Sequence, residues 1–325
     1  MTSVPVRRRT LLAGSLLAGA IGLNALAQGS DKPITLVVPN AAGGAADSLA
    51  RSFADEMSRR LRQTVIVENQ GGASGAIAAQ KVLRSAPDGH TLLFGTTSDV
   101  VVTPIANRSA GYSARDFTAI AKVGVTPMTL VARASLGLTN ADQMVALARQ
   151  KPNGISVGTT GSASLQAFAT MAVQRAGNID LLPVPYKGGA PIVTDLLGGT
   201  LDMAVSSLPT VLAQVRSGKL TMLGILADKR HASAPDLPTI NESRSIKGVS
   251  VEIWAGLLGP ANMPPSVVDR ISRAAREVLE DREYGERRAK SGDITVPWQP
   301  PADFAAFVRA EDDRYRSLAT GMKLE

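Results

Sequence analysis

Three short segments carry the residues best suited to hold a small ligand. The first is Pro39-Asn40-Ala41-Ala42-Gly43-Gly44-Ala45-Ala46-Asp47, and the second is Gly158-Thr159-Thr160-Gly161-Ser162-Ala163-Ser164. Small side chains let a ligand approach the backbone, and the free N–H groups at the start of a helix favour negative charge. The second segment adds hydroxyls at Thr159, Thr160, Ser162 and Ser164. A third wall is Gly95-Thr96-Thr97-Ser98-Asp99. This chemistry is anion binding through neutral donors. Asp47 can cap a helix or meet a ligand amine, and the two roles are compatible.

Covalent chemistry finds little support. The chain has no Cys, which excludes thiol catalysis and cysteine-rich metal sites, and its two histidines, His90 and His231, are far apart in sequence. His90 lies in a Pro-Asp-Gly turn and His231 in a polar loop, so both are expected to face solvent. Neither glycine-rich loop continues into Gly-Lys-Ser/Thr, and no Gly-x-Gly-x-x-Gly fingerprint is present. Ser162 stands in Gly-Ser-Ala-Ser rather than in Gly-x-Ser-x-Gly. No catalytic residue, metal site or cofactor is therefore assigned, and a binding protein is expected rather than an enzyme.

The elements that must position these loops alternate strand, loop and helix. Residues 34–39 form a β-rich apolar run, followed by Leu49, Phe53, Met57 and Leu61 at a four-residue spacing that predicts a helix over 46–62. Strands are predicted at 65–67 and 91–94, with an alanine-rich helix over 76–84 between them. The middle of the chain repeats this pattern: helix from Thr139 to before Pro152, strand 155–157, helix 164–176, strand 181–186, helix 191–197, strand 201–205, helix 209–217 and strand 220–227. After a loop, 253–258 reads as a strand, and helices are expected over 265–279 and 301–319. Because those last helices bring no sheet of their own, they are expected to return to the first unit. The fold class is α/β: two doubly wound lobes joined by two crossing segments, with the loops at strand ends facing a cleft between them.

The first 27 residues read as an address. Arg7-Arg8-Arg9 precede an apolar run from Leu11 to Leu26, and Ala25-Leu26-Ala27 supplies a small-x-small ending. Arg8-Arg9 followed by Thr10-Leu11-Leu12 is similar to a twin-arginine export motif. The run is shorter than the ~20 residues a spanning helix needs, so cleavage after Ala27 and a periplasmic location are expected. Cleavage removes three arginines and lowers the formal charge from +7 to +4. The densest basic stretch, 270–290, mixes Arg273, Arg276, Arg282, Arg287 and Arg288 with five acids. It reads as an ion-paired helix face rather than a phosphate-tracking stripe, so no nucleic-acid partner is expected.

An ordered series of short motifs then carries a resemblance. Val38-Pro39 with Gly43-Gly44 and Asp47, Val67-Glu68-Asn69, Pro87-Asp88-Gly89 with Thr91-Leu92-Leu93, and Asp116-Phe117 come first. Val184-Pro185-Tyr186-Lys187-Gly188, Asp195-Leu196-Leu197-Gly198-Gly199, Ser217-Gly218-Lys219-Leu220, Pro235-Asp236-Leu237-Pro238-Thr239 and Trp254-Ala255-Gly256-Leu257 follow. In this order the chain resembles the Bug family, the periplasmic receptors of tripartite tricarboxylate transporters. The resemblance implies a type II periplasmic binding protein that closes on a small carboxylate and delivers it to a membrane permease; a monomer is the default expectation. Service as the ligand-dependent receptor of a membrane sensor kinase is the alternative. It implies lobes of residues 28–126 plus 254–325 and of residues 127–253. It also implies a ligand site built from Asn40, Ala41, Ala42, Gly43, Gly44, Ala45, Ala46 and Asp47 with Thr159, Thr160, Gly161, Ser162 and Ser164, walled by Thr97 and Ser98. The chain departs from the family at Asn40, where an aromatic is usual, at Ala46, where a threonine is usual, and after Ser162, where a histidine is usual. Tyr186 and Lys187 are expected to brace the second lobe.

Overall fold

The computed structural model describes residues 32–40, 42–43, 45–161, 164–186, 189–231, 234–290 and 294–320. Residues 1–27, where an export signal is expected, and Ala41, Gly44, Ser162 and Lys187 lie outside the described residues. β1 (Ile34–Val38), α1 (Ala45–Leu61), β2 (Val65–Asn69), α2 (Ala76–Leu83) and β3 (Thr91–Thr96) build one half of the first sheet. β1 runs parallel to both β2 and β3. The four-residue apolar spacing of α1 does what it predicts: Leu49, Phe53 and Met57 are buried beneath it. A wide π-helical turn, Thr97–Val102, follows β3 and leads into the short α3 (Thr103–Ala106).

The sequence pattern did not predict the longest strand. β4 (Thr118–Arg133) spans 16 residues, and it escapes the pattern because Lys122, Gly124 and Pro127 interrupt an otherwise apolar run and blur its period. This strand connects the two sheets. Its first part, Thr118 to Pro127, pairs antiparallel with β9 (Glu252–Gly259), which in turn pairs antiparallel with β3. Its second part, Met128 to Arg133, pairs antiparallel with β7 (Met203–Ser207) and β8 (Leu220–Ile225).

The second sheet is completed by α4 (Ala141–Gln150), β5 (Ser156–Thr159), α5 (Leu165–Gly177), β6 (Leu182–Pro185), α6 (Gly189–Gly198) and α7 (Leu208–Arg216). β5 lies parallel between β6 and β7. The expectation of parallel sheets from the alternating grammar thus holds within each βαβ run. It fails at β4 and β9, which run antiparallel to their neighbours.

α8 (Pro265–Leu279) buries Val268, Ile271, Ala275 and Val278, and packs on α1. α9 (Arg282–Lys290) starts as a separate helix because the carboxylate of Asp281 accepts from the amides of Glu283 and Tyr284. β10 (Ile294–Thr295) adds to β4. The last helix, α10 (Pro301–Ala319), packs against elements of both sheets. Its Phe304 packs edge-on against Trp254 of β9 with ring centroids 5.6 Å apart, while its Tyr315 packs against Phe168 of α5 at 5.7 Å. Arg175 of α5 also donates to the Ser317 carbonyl at 3.1 Å. α10 therefore braces elements of both sheets.

Candidate functional site

The strand ends set the site. β1, β2 and β3 finish side by side in the first sheet, and β5 finishes in the second, so the loops that follow them meet around one cleft of about 450 Å³. Pro39 and Asn40 follow β1 there. Gly71, Gly72, Ser74 and Gly75 follow β2, Ser98 and Asp99 follow β3 with Val102 and Thr103 behind them, and Thr160, Ser164, Leu165 and Gln166 follow β5. This is the position at which open α/β sheets present ligand sites.

The first loop is shaped by Asp47. Its carboxylate accepts from the Gly43 amide at 2.8 Å, from Asn69 Nδ2 at 2.9 Å and from Arg51 Nε at 3.1 Å. Those three interactions, the Gly43 amide first, hold its pKa at about 2. Asp47 stands in the first turn of α1 and reaches back to the loop, which fixes Gly43 in a left-handed conformation at φ 85°. Asn69 also donates to the Asn40 carbonyl at 3.2 Å, so Asp47 and Asn69 together hold the loop that puts Asn40 on the cleft. Asp47 itself is buried behind the wall. Ala42 and Gly43 are exposed and Ala46 is half-buried; these three stand outside the described cleft lining.

The second loop is tied within itself. Ser164 caps α5, accepting from the Ala167 amide at 3.2 Å and donating to the Gly161 carbonyl at 2.8 Å. Thr160 Oγ1 donates to Gln166 Oε1 at 2.8 Å. Thr160, Ser164 and Gln166 thus present polar atoms to the cleft beside the N-terminus of α5, whose first-turn amides and dipole favour an anion. Thr159 is buried, with its hydroxyl donating to the Gly161 carbonyl, and both residues lie behind the lining.

The third wall divides. Ser98 is half-buried and lines the cleft, whereas Thr97 turns away. Thr97 Oγ1 accepts from the Trp254 amide at 2.9 Å and donates to the Glu252 carbonyl at 3.2 Å, stapling the turn to β9. Asp99, buried at 3% exposure, folds back to accept from the Thr96 amide and from Thr96 Oγ1 at 2.5 Å. Burial is the main reason its carboxyl is pushed up to about 7.

Of the expected site residues, Asn40, Ser98, Thr160 and Ser164 are brought together. The turn Gly71 to Gly75, absent from the expected site, satisfies the same criterion as the other loops: small residues between a strand end and a helix. Gln166 and Thr103 gave no local signal, since each reaches the cleft through the turn of the helix carrying it. Away from the site, Tyr186 donates to Asp195 of α6 at 2.8 Å. His231 is half-buried rather than solvent-facing, and burial pushes its imidazole pKa down. His90 is likewise only partly exposed, with its ring Nδ1 3.3 Å from the Pro33 carbonyl.

Two sheets sharing β4, with a polar cleft between strand-end loops, define a periplasmic-binding-protein fold. Residues 49–323 match the profile of the tripartite tricarboxylate transporter family receptors, TctC, and the chain belongs to that family. The Bug resemblance holds at the level of individual relatives. The chain is 30% identical to the protein BugT of Bordetella pertussis over 90% of its own length and 91% of BugT. It is 32% identical to the periplasmic binding protein BugD, whose structure superposes with a TM-score of 0.73, covering 90% of this chain and 98% of that one. R. palustris Rpa4515, whose structure was solved with adipate, superposes with a TM-score of 0.77 at 27% identity, covering 90% of this chain and 97% of that one. Among the described residues no helix is long and apolar enough to cross a membrane, and no cluster of His, Asp and Glu could hold a metal ion.

Proposed function

We propose that this protein is a periplasmic solute-binding receptor that captures a small organic carboxylate in the cleft between its two sheets and delivers it to the permease of a tripartite tricarboxylate transporter. The observation carrying this reading is the convergence of Asn40, Ser98, Thr160 and Ser164 on one cleft whose described lining contains no Lys, Arg or His. An anion there is held by amides, hydroxyls and the α5 N-terminus, each of which contributes without a buried counter-charge. Binding and closure need no reacting group, and no catalytic role is assigned to any residue. The adipate bound by the R. palustris relative sits well with a carboxylate ligand.

The lobes proposed are residues 28–126 plus 254–325 and residues 127–253. The change of β4 from β9 to β7 and β8 between Pro127 and Met128 supports that division. A ligand that touches both sides favours the closed arrangement by the difference in its contacts, and by no more than that. The Ala25-Leu26-Ala27 ending and the receptor family support export with cleavage after Ala27, and a monomer is sufficient for the cycle.

A thermal-shift panel of mono-, di- and tricarboxylates against neutral sugars and amides tests the reading. At about 100 times its dissociation constant a true ligand adds about 2.7 kcal/mol, a rise of several degrees in Tm. Stabilisation by carboxylates alone is expected. Stabilisation by neutral solutes alone would exclude the carboxylate assignment.

A further inference from the structure

The two strands that pass between the sheets do so at one point, and buried charges sit behind it. β4 leaves β9 at Pro127, whose partner is Glu252, and joins β7 at Met128. There Leu226, which follows β8, accepts from the Val251 amide and donates its own amide to the Met128 carbonyl, both at 2.8 Å. Any closure of the cleft bends both strands here, at residues 127–128 and 251–252. The segment entering β9 is tied down on either side of that bend. Lys122 of β4 pairs with Glu252 at 3.5 Å, its ammonium 3.9 Å from the centre of the Phe307 ring. Arg314 of α10 donates to the Ser250 carbonyl and pairs with Glu311 at 2.8 Å.

Stability alone does not account for these charges. Lys122 and Glu311 are 8% and 7% exposed, and burial pushes the pKa of the first down and that of the second up. Glu311 Oε2 and Arg314 Nε are buried with no hydrogen-bond partner among the described residues. Ion pairs buried in this way add little net stability over apolar side chains of the same size. They do respond to small displacements, because attraction in a poorly solvated setting falls steeply as the charges part. The segment also has room to move: a crevice of about 250 Å³ opens between α5, α10 and residues 248–251. At about 450 Å³ the cleft held in this arrangement has room for about fifteen waters, more than a carboxylate the size of adipate fills.

We infer that the Lys122–Glu252 and Arg314–Ser250 contacts form a clasp at the hinge that holds the cleft open, so that residues outside the ligand site set how tightly the receptor binds. The apparent dissociation constant of a protein that must close is the closed-state constant divided by the closed fraction. Loosening the clasp raises that fraction and tightens binding without altering any ligand contact. This inference rests on the receptor reading.

Lys122→Met combined with Glu252→Gln removes both charges of one tie, while keeping an unbranched stem over Phe307 and the backbone carbonyl that Thr97 uses. Calorimetric titration with malate and with adipate should give dissociation constants about three- to tenfold lower for this variant than for the wild type. Damage to the fold would weaken binding, so a gain separates a clasp from a merely structural pair. Glu252→Gln alone, at a half-buried position, should show a smaller gain and decides the matter if the double variant misfolds. Because the chain has no cysteine, spin labels at Asp55→Cys on α1 and Arg216→Cys on α7, both exposed, read the separation of the two sheets directly. Without added acid the wild type should show the longer distance, and the clasp variant a larger share of shorter ones. Equal or weaker binding of an acid that the wild type binds, or an unchanged distance distribution, overturns the inference and leaves the receptor reading intact. If the distances shorten while neither acid binds wild type or variant, the clasp stands and the carboxylate assignment loses its support.

Discussion

The Asn69 side-chain amide donates to the Asp47 carboxylate at 2.9 Å and to the Asn40 carbonyl at 3.2 Å, so one residue at the end of β2 holds both the first helix and the loop beside it. Asp47 is consequently a brace for the ligand loop. Asp47→Ala should lower the melting temperature by several degrees and also weaken carboxylate binding, because Gly43 and Asn69 lose their shared acceptor. Asp47→Asn should retain part of both. Thermal unfolding together with calorimetric titration checks this; a stability loss with unchanged affinity would show that the loop holds its shape without Asp47.

Thr97 provides the contrasting case. Its hydroxyl serves the Trp254 amide and the Glu252 carbonyl and lies away from the cleft. Thr97→Val leaves the buried Trp254 N–H without an acceptor and should cost about 1–3 kcal/mol of stability. Affinity for a carboxylate should change little. Denaturant unfolding and a binding titration on the same variant separate the two effects.

Stability should depend on pH in two windows of opposite sign. Asp99 has a folded pKa of about 7 against an ordinary value of 3.8, so the folded state holds an extra proton between those values. Stability from this group therefore falls as the pH rises from about 4 to 7, by up to about 4 kcal/mol, and then levels off. Asp47 and Glu242 titrate oppositely: the Gly43 amide for the first, and Arg230 for the second, lower their pKa values to about 2. Their contribution is present above pH 4 and is lost as the pH falls toward 2. Melting curves of the wild type should decline between about pH 4 and 7, and Asp99→Asn should lack that decline.

Gly75 sits where two walls of the cleft meet. Its φ is +91°, and a Cβ there would stand 2.5 Å from Asp99 Cβ and 3.1 Å from Pro39 Cβ. Gly75→Ala should destabilise the protein by about 1–3 kcal/mol through both strain and overlap. It should also weaken ligand binding, because the first and third walls are pushed apart. Chemical denaturation and titration of the variant read both consequences.

The sequence made some of these features visible and hid others for identifiable reasons. The four-residue spacing of Leu49, Phe53 and Met57 and a helix starting near Ser164 were visible because they follow local rules, and the structure follows them. The strand-end position of Asn40, Ser98, Thr160 and Ser164 was visible for the same reason. β4 was not, since Lys122, Gly124 and Pro127 break its pattern and its pairing changes sheets midway. The direction in which Thr97 points was also hidden: it depends on β9, more than 150 residues away in the chain. The bracing role of α10 needs Trp254 and Phe168 as partners, and no local signal names partners so distant.

The account rests on one cleft holding a carboxylate between both sets of loops. A crystal structure of the protein grown with the carboxylate that most raises its melting temperature tests this directly. The account places the ligand between Asn40 and Ser98 on one side and Thr160 and Ser164 on the other, with its carboxylate near the start of α5. A ligand bound elsewhere, or touching only one of the two sets of loops, would contradict it.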